Sequence, residues 1–450
     1  MHSKEHTQPG YKLMFTHVWC LHPRRSTMHL RWIFSSLLVF SVLMSSGVVY
    51  YRHINYTWES GLSPDLFGVG VCGEDFMNCT ATTETYRTNE HDLLLEYTRR
   101  QKNLQDICLT HPAGKLRRII SHDRYKLACC VVPKAGCTFW INVFRFLYNE
   151  TGEVNVNSPN DIPRLVTHRG PRRKMKFYNM TTAGNFLPYT FRFLFTREPY
   201  SRLWSAYVDK FLLPDFWCLE AKRIGDQRWN RRRNRPSGFC KRFCVSDVSF
   251  VELLNHIVLS DIDELNEHLS PVSHMCDPCT FRPDVIGTME TFAKDSYYIL
   301  SQVNLGHLIG DHNTKTYVEH ELAMLTEYNF GLFQFPYCGR CMNRADVAKR
   351  LWKAFQINGY LPNDAKLPLE HLKNITTDRF LDIAMKTYRE RPSSPAQMKR
   401  QKKKALIDAY RSVPQNIMDK LKSIYATDFL MFDYDPDPSW LKFKKSKLRT

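Results

Sequence analysis

Between Leu127 and Leu147 the chain changes period, and that change limits what it can fold into. Leu127 to Val132 is an apolar run with the length of a short buried strand. Pro133 to Cys137 is a small-residue turn holding one lysine and one glycine. From Thr138 the spacing becomes helical: Trp140, Val143, Phe144 and Leu147 share one face at i, i+3, i+4 and i+7. A strand, a tight turn and a helix N-terminus in this order form an anion cradle. The first N–H groups of the helix have no intrahelical acceptor, the positive end of its dipole points the same way, and Lys134 adds a full charge. Thr138 can cap the helix or give its hydroxyl to the same anion. The same residues also suit an ordinary strand–turn–helix of an α/β core.

A second strand candidate, Tyr189–Thr196, runs into Arg197-Glu198-Pro199-Tyr200-Ser201-Arg202-Leu203-Trp204-Ser205-Ala206-Tyr207. Pro199 suits the first turn of a helix, and Trp204, Tyr207, Val208 and Phe211 mark its apolar stripe. Ser205 falls off that stripe, two turns in. Ligands of open α/β sheets sit beyond the carboxyl ends of the strands, where Arg197 and Ser205 could converge with the first turn on one ligand. Taken singly, Arg197 reads as a solvated loop arginine and Ser205 as an exposed helix serine.

The surroundings narrow the setting. Trp32–Tyr51 is uncharged and mostly apolar, and its length of about 20 residues is that of one transmembrane helix. The segment before it carries five lysines and arginines against Glu5, so the positive-inside rule places residues 1–31 in the cytosol and all after Tyr51 outside it. Five N-glycosylation sequons, at Asn55, Asn78, Asn149, Asn179 and Asn374, all follow the apolar run. So do all but one of the 14 cysteines, an odd number of disulfide candidates for an oxidising lumen. Cys276/Cys279 and Cys338/Cys341 form two CxxC pairs whose wide separation favours disulfides over a zinc ribbon. Residues 52–106 read as a polar stem, 107–435 as the globular domain, and 436–450 as a basic tail. The formal net charge of +18 favours acidic partners, and a luminal domain excludes nucleic acid, leaving anionic glycans, nucleotides or lipid. Residues 212–245, rich in arginine, lysine, tryptophan and cysteine, suit a surface insertion that could grip an acidic sugar chain. The basic run at residues 399–404 reads as a solvated face. Phe429–Tyr434 reads as a closing strand or packed tail.

Pro133-Lys134-Ala135-Gly136-Cys137-Thr138 resembles the loop that holds the 5′-phosphosulfate of PAPS (3′-phosphoadenosine 5′-phosphosulfate) in sulfotransferases, and Arg197 through Tyr207 resembles their 3′-phosphate motif. Within that family the chain is most similar to the Golgi carbohydrate sulfotransferases of the HNK-1, chondroitin 4-O and dermatan 4-O group. The block His268–Thr291 and the segment Asp428–Tyr434 also resemble that group, as does an N-terminal signal-anchor. The chain departs from it at Ala135-Gly136, where members often carry Val-Ala, and at Leu269, where a tryptophan often follows the histidine.

The resemblance implies a P-loop-like sulfotransferase fold, with a central parallel sheet flanked by helices after the membrane anchor and stem, in the Golgi membrane with a luminal catalytic domain. It implies PAPS as co-substrate and an acidic glycan or glycosaminoglycan as acceptor, the N-acetylgalactosamine 4-hydroxyl of chondroitin or dermatan first among several. Residues 133–139, including Phe139, would cradle the 5′-phosphosulfate; Lys134 would stabilise the leaving group; Arg197 and Ser205 would bind the 3′-phosphate. For the base that removes the hydroxyl proton, His268 comes first, then Glu290 and His168. The scheme requires no metal. Two other classes stay open at this point: a non-enzymatic luminal glycan-binding protein, and a P-loop NTPase or kinase, although Lys134 precedes Gly136 and no Gly-Lys-Ser/Thr is present.

Overall fold

Four strands make one sheet in the order β1 (Ile119–His122), β2 (Leu127–Cys130), β3 (Phe191–Thr196) and β4 (Val285–Thr288) in a computed structural model of the chain. It describes residues 90–442, apart from 112–115, 153–154, 233–244, 310–313, 340–341, 369, 371 and 373. β2, β3 and β4 are parallel, with Cys129 opposite Phe193 and Phe193 opposite Val285. β1 runs antiparallel to β2 through a tight turn. The sheet is therefore mixed, not wholly parallel as expected. Asp123 to Lys126 is too short for a crossover, and Lys126, with a φ of 47°, closes the reversal that turns β1 back along β2. All four residues of β2 and of β4 are buried, as parallel strands covered on both faces require.

The labelled helices are α1 (Glu90–Cys108), α2 (Cys137–Leu147), α3 (Arg164–Arg169), α4 (Pro199–Tyr207), α5 (Phe292–Ser301), α6 (Thr314–Gly331), α7 (Arg344–Ile357), α8 (Thr377–Glu390) and α9 (Ala426–Met431). The spacing of Trp140, Val143 and Phe144 lays α2 on the sheet, the Trp140 ring 4.2 Å from that of Phe193. Each such side chain contributes about 1.5–3 kcal/mol on burial. α4 buries Tyr200, Leu203 and Ala206 within one apolar cluster, whereas Trp204 and Tyr207 of the expected stripe stay partly exposed between that cluster and a second; Val208 and Phe211 of the stripe are buried. α6, α7 and α8 enclose a second apolar cluster beside the sheet.

Residues 90–106, read above as the end of a stem, are part of the fold. Tyr97 and Leu104 of α1 join the core of the sheet. The Tyr97 hydroxyl donates to buried Asp295 (2.9 Å), and Arg100 donates to the Ile286 carbonyl (2.9 Å) and to Asp295 (3.1 Å). Asp295 also accepts from the Thr288 N–H and the Thr291 hydroxyl, so one carboxylate ties α1, β4 and α5 together. A Cys108–Cys279 disulfide fixes the end of α1, and Cys130–Cys276 staples β2 to the same block. Both cysteines of the first CxxC pair are thus consumed in disulfides, and neither pairs with the other.

Asp428–Tyr434 contributes helix α9 and a turn in place of a strand. Asp428 is buried and accepts the backbone N–H groups of Val272 and Ser273, each at 2.7 Å, which anchors the segment end-on. Among the described residues no helix is long and apolar enough to cross a membrane. The apolar run at 32–51, the basic lead before it, residues 52–89 of the stem, the insertion at 233–244 and residues 443–450 lie outside the described residues, as do the side chains of Cys338 and Cys341. Pro436–Leu441 of the expected tail packs back on the domain, with Trp440 against Tyr200 and Tyr410.

If α1 belongs to the domain, a chain beginning at residue 107 should melt well below one beginning at residue 90. Equal melting temperatures by calorimetry would return residues 90–106 to the stem.

Candidate active site

The turn after β2 is built to leave backbone N–H groups open. Lys134 and Gly136 both sit in the left-handed region, at φ 69° and 72°. A Cβ on Gly136 would lie 2.1 Å from the Phe292 ring, so space as well as conformation demands glycine there. Gly136 caps α2 with no side-chain acceptor, so the first N–H groups of the helix depend on whatever anion faces them. Ala135 is buried. Cys137 is a half-buried thiol, Cys129 a buried one beneath it. Phe139 packs edge-on to Phe292 at 5.6 Å. The Thr138 hydroxyl lies 3.2 Å from His168 Nε2.

Arg202 holds this turn in place. Its guanidinium is buried and donates to the Pro133 carbonyl (3.0 Å), the Ser270 carbonyl (2.7 Å) and the Glu267 carbonyl (2.9 Å). Burial draws its pKa below the usual arginine value, opposed by Tyr425 and Asp428. Arg197 stands next to it, its Nη1 donating to the Lys134 carbonyl at 3.3 Å. The ends of β2 and β3 thus meet at the turn, as the sequence motifs require. Burial lowers the Arg197 pKa, while Glu290 and Glu198 pull it upward. Glu198 also caps α4, accepting from the N–H groups of Tyr200 and Ser201. Ser205 is half-buried two turns into α4.

Lys134 Nζ donates to Asp209 at 2.7 Å. Asp209 lies on a π-helical turn, Val208–Leu212, that continues α4; such turns recur at functional sites. Arg164 of α3 reaches the other oxygen of Asp209 at 2.6 Å, and Lys210 lies 3.5 Å away. Lys210 also pairs with Asp215, which accepts from Arg169 (2.6 Å) and the Tyr328 hydroxyl (2.9 Å). Burial alone would raise the Asp209 pKa; Arg164, Lys134 and Lys210 outweigh it and hold the carboxyl well below its ordinary range. Burial lowers the Lys134 pKa, helped by Arg164 and Lys210 and opposed by Asp209. In this network four cations face two carboxylates, a positive excess suited to an anion.

His268 and His168 both border the network. Asn266 Oδ1 accepts from the backbone N–H of His268 (3.0 Å) and from its Nδ1 (2.8 Å). Since that oxygen only accepts, the proton sits on Nδ1 and Nε2 keeps its lone pair. The ring packs edge-on to Phe216 at 5.1 Å. Burial first, then Lys210, Lys134 and Arg118, hold the His268 pKa well below 6.5. Burial, then Arg164 and Lys210, do the same for His168. Both imidazoles are neutral at neutral pH. Glu290 lies on the Arg197 side instead, accepting from the Tyr434 hydroxyl at 3.2 Å, which suits a carboxylate that positions Arg197 better than a base.

The sulfotransferase family pattern matches residues 117–329, a span holding every residue named so far at the site except Tyr434. The chain is 30% identical over 266 residues to carbohydrate sulfotransferase 11 of Rattus norvegicus, covering 54% of this chain and 74% of that one. The chain belongs to the carbohydrate sulfotransferase family. It is 29% identical over 232 residues to carbohydrate sulfotransferase 14 of Homo sapiens, covering 48% of this chain and 58% of the relative. It is 28% identical over 218 residues to carbohydrate sulfotransferase 8 of Homo sapiens, covering 45% and 49%. The chain thus spans about half the length of most of these relatives. No solved structure matches it. The motifs did not mark Arg164, Asp209, Lys210 or Arg202. Asp209-Lys210 follows the Arg197–Tyr207 motif after Val208, but a charged pair in a helical stretch reads as solvated until the π turn folds it inward. Arg202 stood inside the quoted motif, with nothing to mark its three carbonyl partners.

Two outcomes follow from this geometry. Arg202→Ala leaves three carbonyls without their donor and should cost about 3–5 kcal/mol of stability by denaturant unfolding; a loss below about 1 kcal/mol would deny it the anchoring role. The depressed His268 pKa means the unfolded chain binds a proton below pH 6.5 that the folded chain refuses. Its stability contribution is therefore complete above that pH and lost as pH falls through it. Relative to His268→Gln, the wild-type chain should lose melting temperature between pH 7.5 and 5.5; parallel curves would show that the imidazole titrates normally.

Proposed function

We propose that the chain transfers a sulfuryl group from PAPS to a hydroxyl of a glycan, with the N-acetylgalactosamine 4-hydroxyl of chondroitin, dermatan or a related glycoprotein glycan as the acceptor, in the Golgi lumen. The observation that carries this reading is the contact between the two motifs: Arg197 donates to the carbonyl of Lys134, so a cation for a 3′-phosphate stands beside an open helix N-terminus for a 5′-phosphosulfate. The residues present fit the donor, because Gly136 leaves the helix N-terminus without a side-chain cap and the surrounding charge is positive. The names of the relatives support a sugar acceptor.

In this reading the N–H groups of residues 136–138, with the Thr138 hydroxyl, hold the 5′-phosphate, while the Ala135 N–H stays on the Val132 carbonyl at 3.2 Å. Arg197 and Ser205 hold the 3′-phosphate, which separates PAPS from ATP. The sugar oxygen attacks sulfur in line, the bond from sulfur to the bridging phosphate oxygen breaks, and adenosine 3′,5′-bisphosphate leaves. Lys134, aimed by Asp209, offsets charge on the leaving oxygen. His268 Nε2, neutral and unprotonated, takes the hydroxyl proton. His168 is tied to Thr138 and serves the phosphate side.

Adenosine 3′,5′-bisphosphate should raise the melting temperature and ATP should not. Lys134→Ala and Arg197→Ala should each lower radiolabelled sulfate transfer from PAPS to desulfated glycans by at least about a hundredfold, as for lost transition-state charge contacts. Transfer at wild-type rate by either folded variant would overturn the assignment. A general ATP preference would point to an NTPase, and no shift with either nucleotide to a glycan-binding protein.

A further inference from the structure

A cavity of about 650 Å³ opens at the other end of the sheet. β2 and β3 run parallel, so Leu127 and Phe191 begin them side by side while their far ends meet the Lys134 turn. The six residues of β3, at ~3.3 Å each, put roughly 20 Å between the two sites. Arg124 and Lys126, from the β1–β2 turn, expose cations at the rim, His307 adds an exposed imidazole, and none of the described residues lining the cavity is a carboxylate. Gln302 and Asn304 add exposed amides, and Phe191 gives a ring to the floor. Tyr125 adds a second ring, with the Arg124 guanidinium 5.6 Å from its centroid. Lys126 and Asn304 hold φ angles of 47° and 60°. A lysine there bears a strain that glycine would avoid, and it sets a cation at the rim.

Cations without carboxylates, amides that pair with hydroxyls, and ring faces that pack on sugar C–H surfaces are the chemistry of acidic saccharide recognition. We propose that this cavity is a second saccharide site, which takes a carboxylated or sulfated sugar of an acidic glycan chain whose reacting hydroxyl lies at the Lys134 end. It rests on the glycan-acceptor reading for its partner. The separation means that only an acceptor several sugars long engages both sites, so affinity rises with chain length.

The test uses the full chain and desulfated chondroitin, as a short oligosaccharide and as a long polymer, in calorimetric titrations with adenosine 3′,5′-bisphosphate present. A variant carrying Arg124→Ser and Lys126→Gly removes both cations and relaxes the turn, so it keeps its fold. Its affinity for the polymer should fall about tenfold, as for two exposed charge contacts, with binding of the short oligosaccharide and of the bisphosphate unchanged. Unaltered polymer affinity would overturn the proposal. So would an equal loss in Lys403→Ala, which would mark diffuse attraction to a basic surface. If the bisphosphate fails to bind either protein, the donor assignment falls, and the polymer comparison still decides the cavity.

Discussion

Everything at the site depends on one buried carboxylate. Asp209 accepts from Lys134 and Arg164 and lies near Lys210. Taking those charges out of water costs several kcal/mol per ion, and the mutual attraction offsets it only when geometry and hydrogen bonding are good. Here each oxygen of Asp209 has its own donor, at 2.7 and 2.6 Å. Removing the carboxylate would leave Lys134 and Arg164 buried without the acceptor they share, beside Lys210, a change of the 3–5 kcal/mol class. The same pair fixes Lys134. Its backbone lies in the left-handed region, and without Asp209 a long ammonium side chain would sample many rotamers.

The turn itself is held from outside. Arg202 reaches from α4 to the Pro133 carbonyl and to two carbonyls of the segment that ends in Ser270. His268 lies between those last two anchors, at Glu267 and Ser270. The candidate base and the candidate anion loop are thus bolted to one guanidinium. Catalysis needs reacting groups held within fractions of an ångström, and a shared anchor transmits any shift of one to the other. Cys130–Cys276 adds a covalent tie between β2 and the same block.

The sequence carried the strand–turn–helix at Leu127–Leu147, the second strand ending at Thr196 and the meeting of Arg197 with the turn, because each rests on local period and punctuation. It did not carry β1, whose four residues, Ile119–His122, are too few for a period to register. It left Phe429–Tyr434 open between a closing strand and a packed tail, because a mixed aromatic and aliphatic run of that length has no decisive spacing, and the anchoring of Asp428 is a long-range contact. It read α1 as tether for a related reason: the polar face of a helix that packs by Tyr97, Leu104 and one arginine looks like linker until Asp295 is in place. Half of the site was legible for the same cause. Lys134, Gly136 and Arg197 are marked by motif, whereas Arg164, Asp209 and Lys210 gain their roles only from a π turn and from packing between distant segments.

The charge balance of the network bears on why the site is built as it is. Burial lowers the Lys134 pKa first; Asp209 opposes it, and Arg164 and Lys210 add like-charge repulsion, as the four cations of the network outnumber its two carboxylates. A core selected for stability alone would place apolar residues at these positions. The repulsion is relieved by any anion that enters the helix N-terminus, and ligand binding to the folded state alone adds stability by mass action. In the proposed reading, an anionic donor that binds at the helix N-terminus relieves that repulsion. In the same reading, a leaving group that gains negative charge during transfer would be held more strongly by these cations, since interactions that strengthen toward the transition state are the ones that raise the rate.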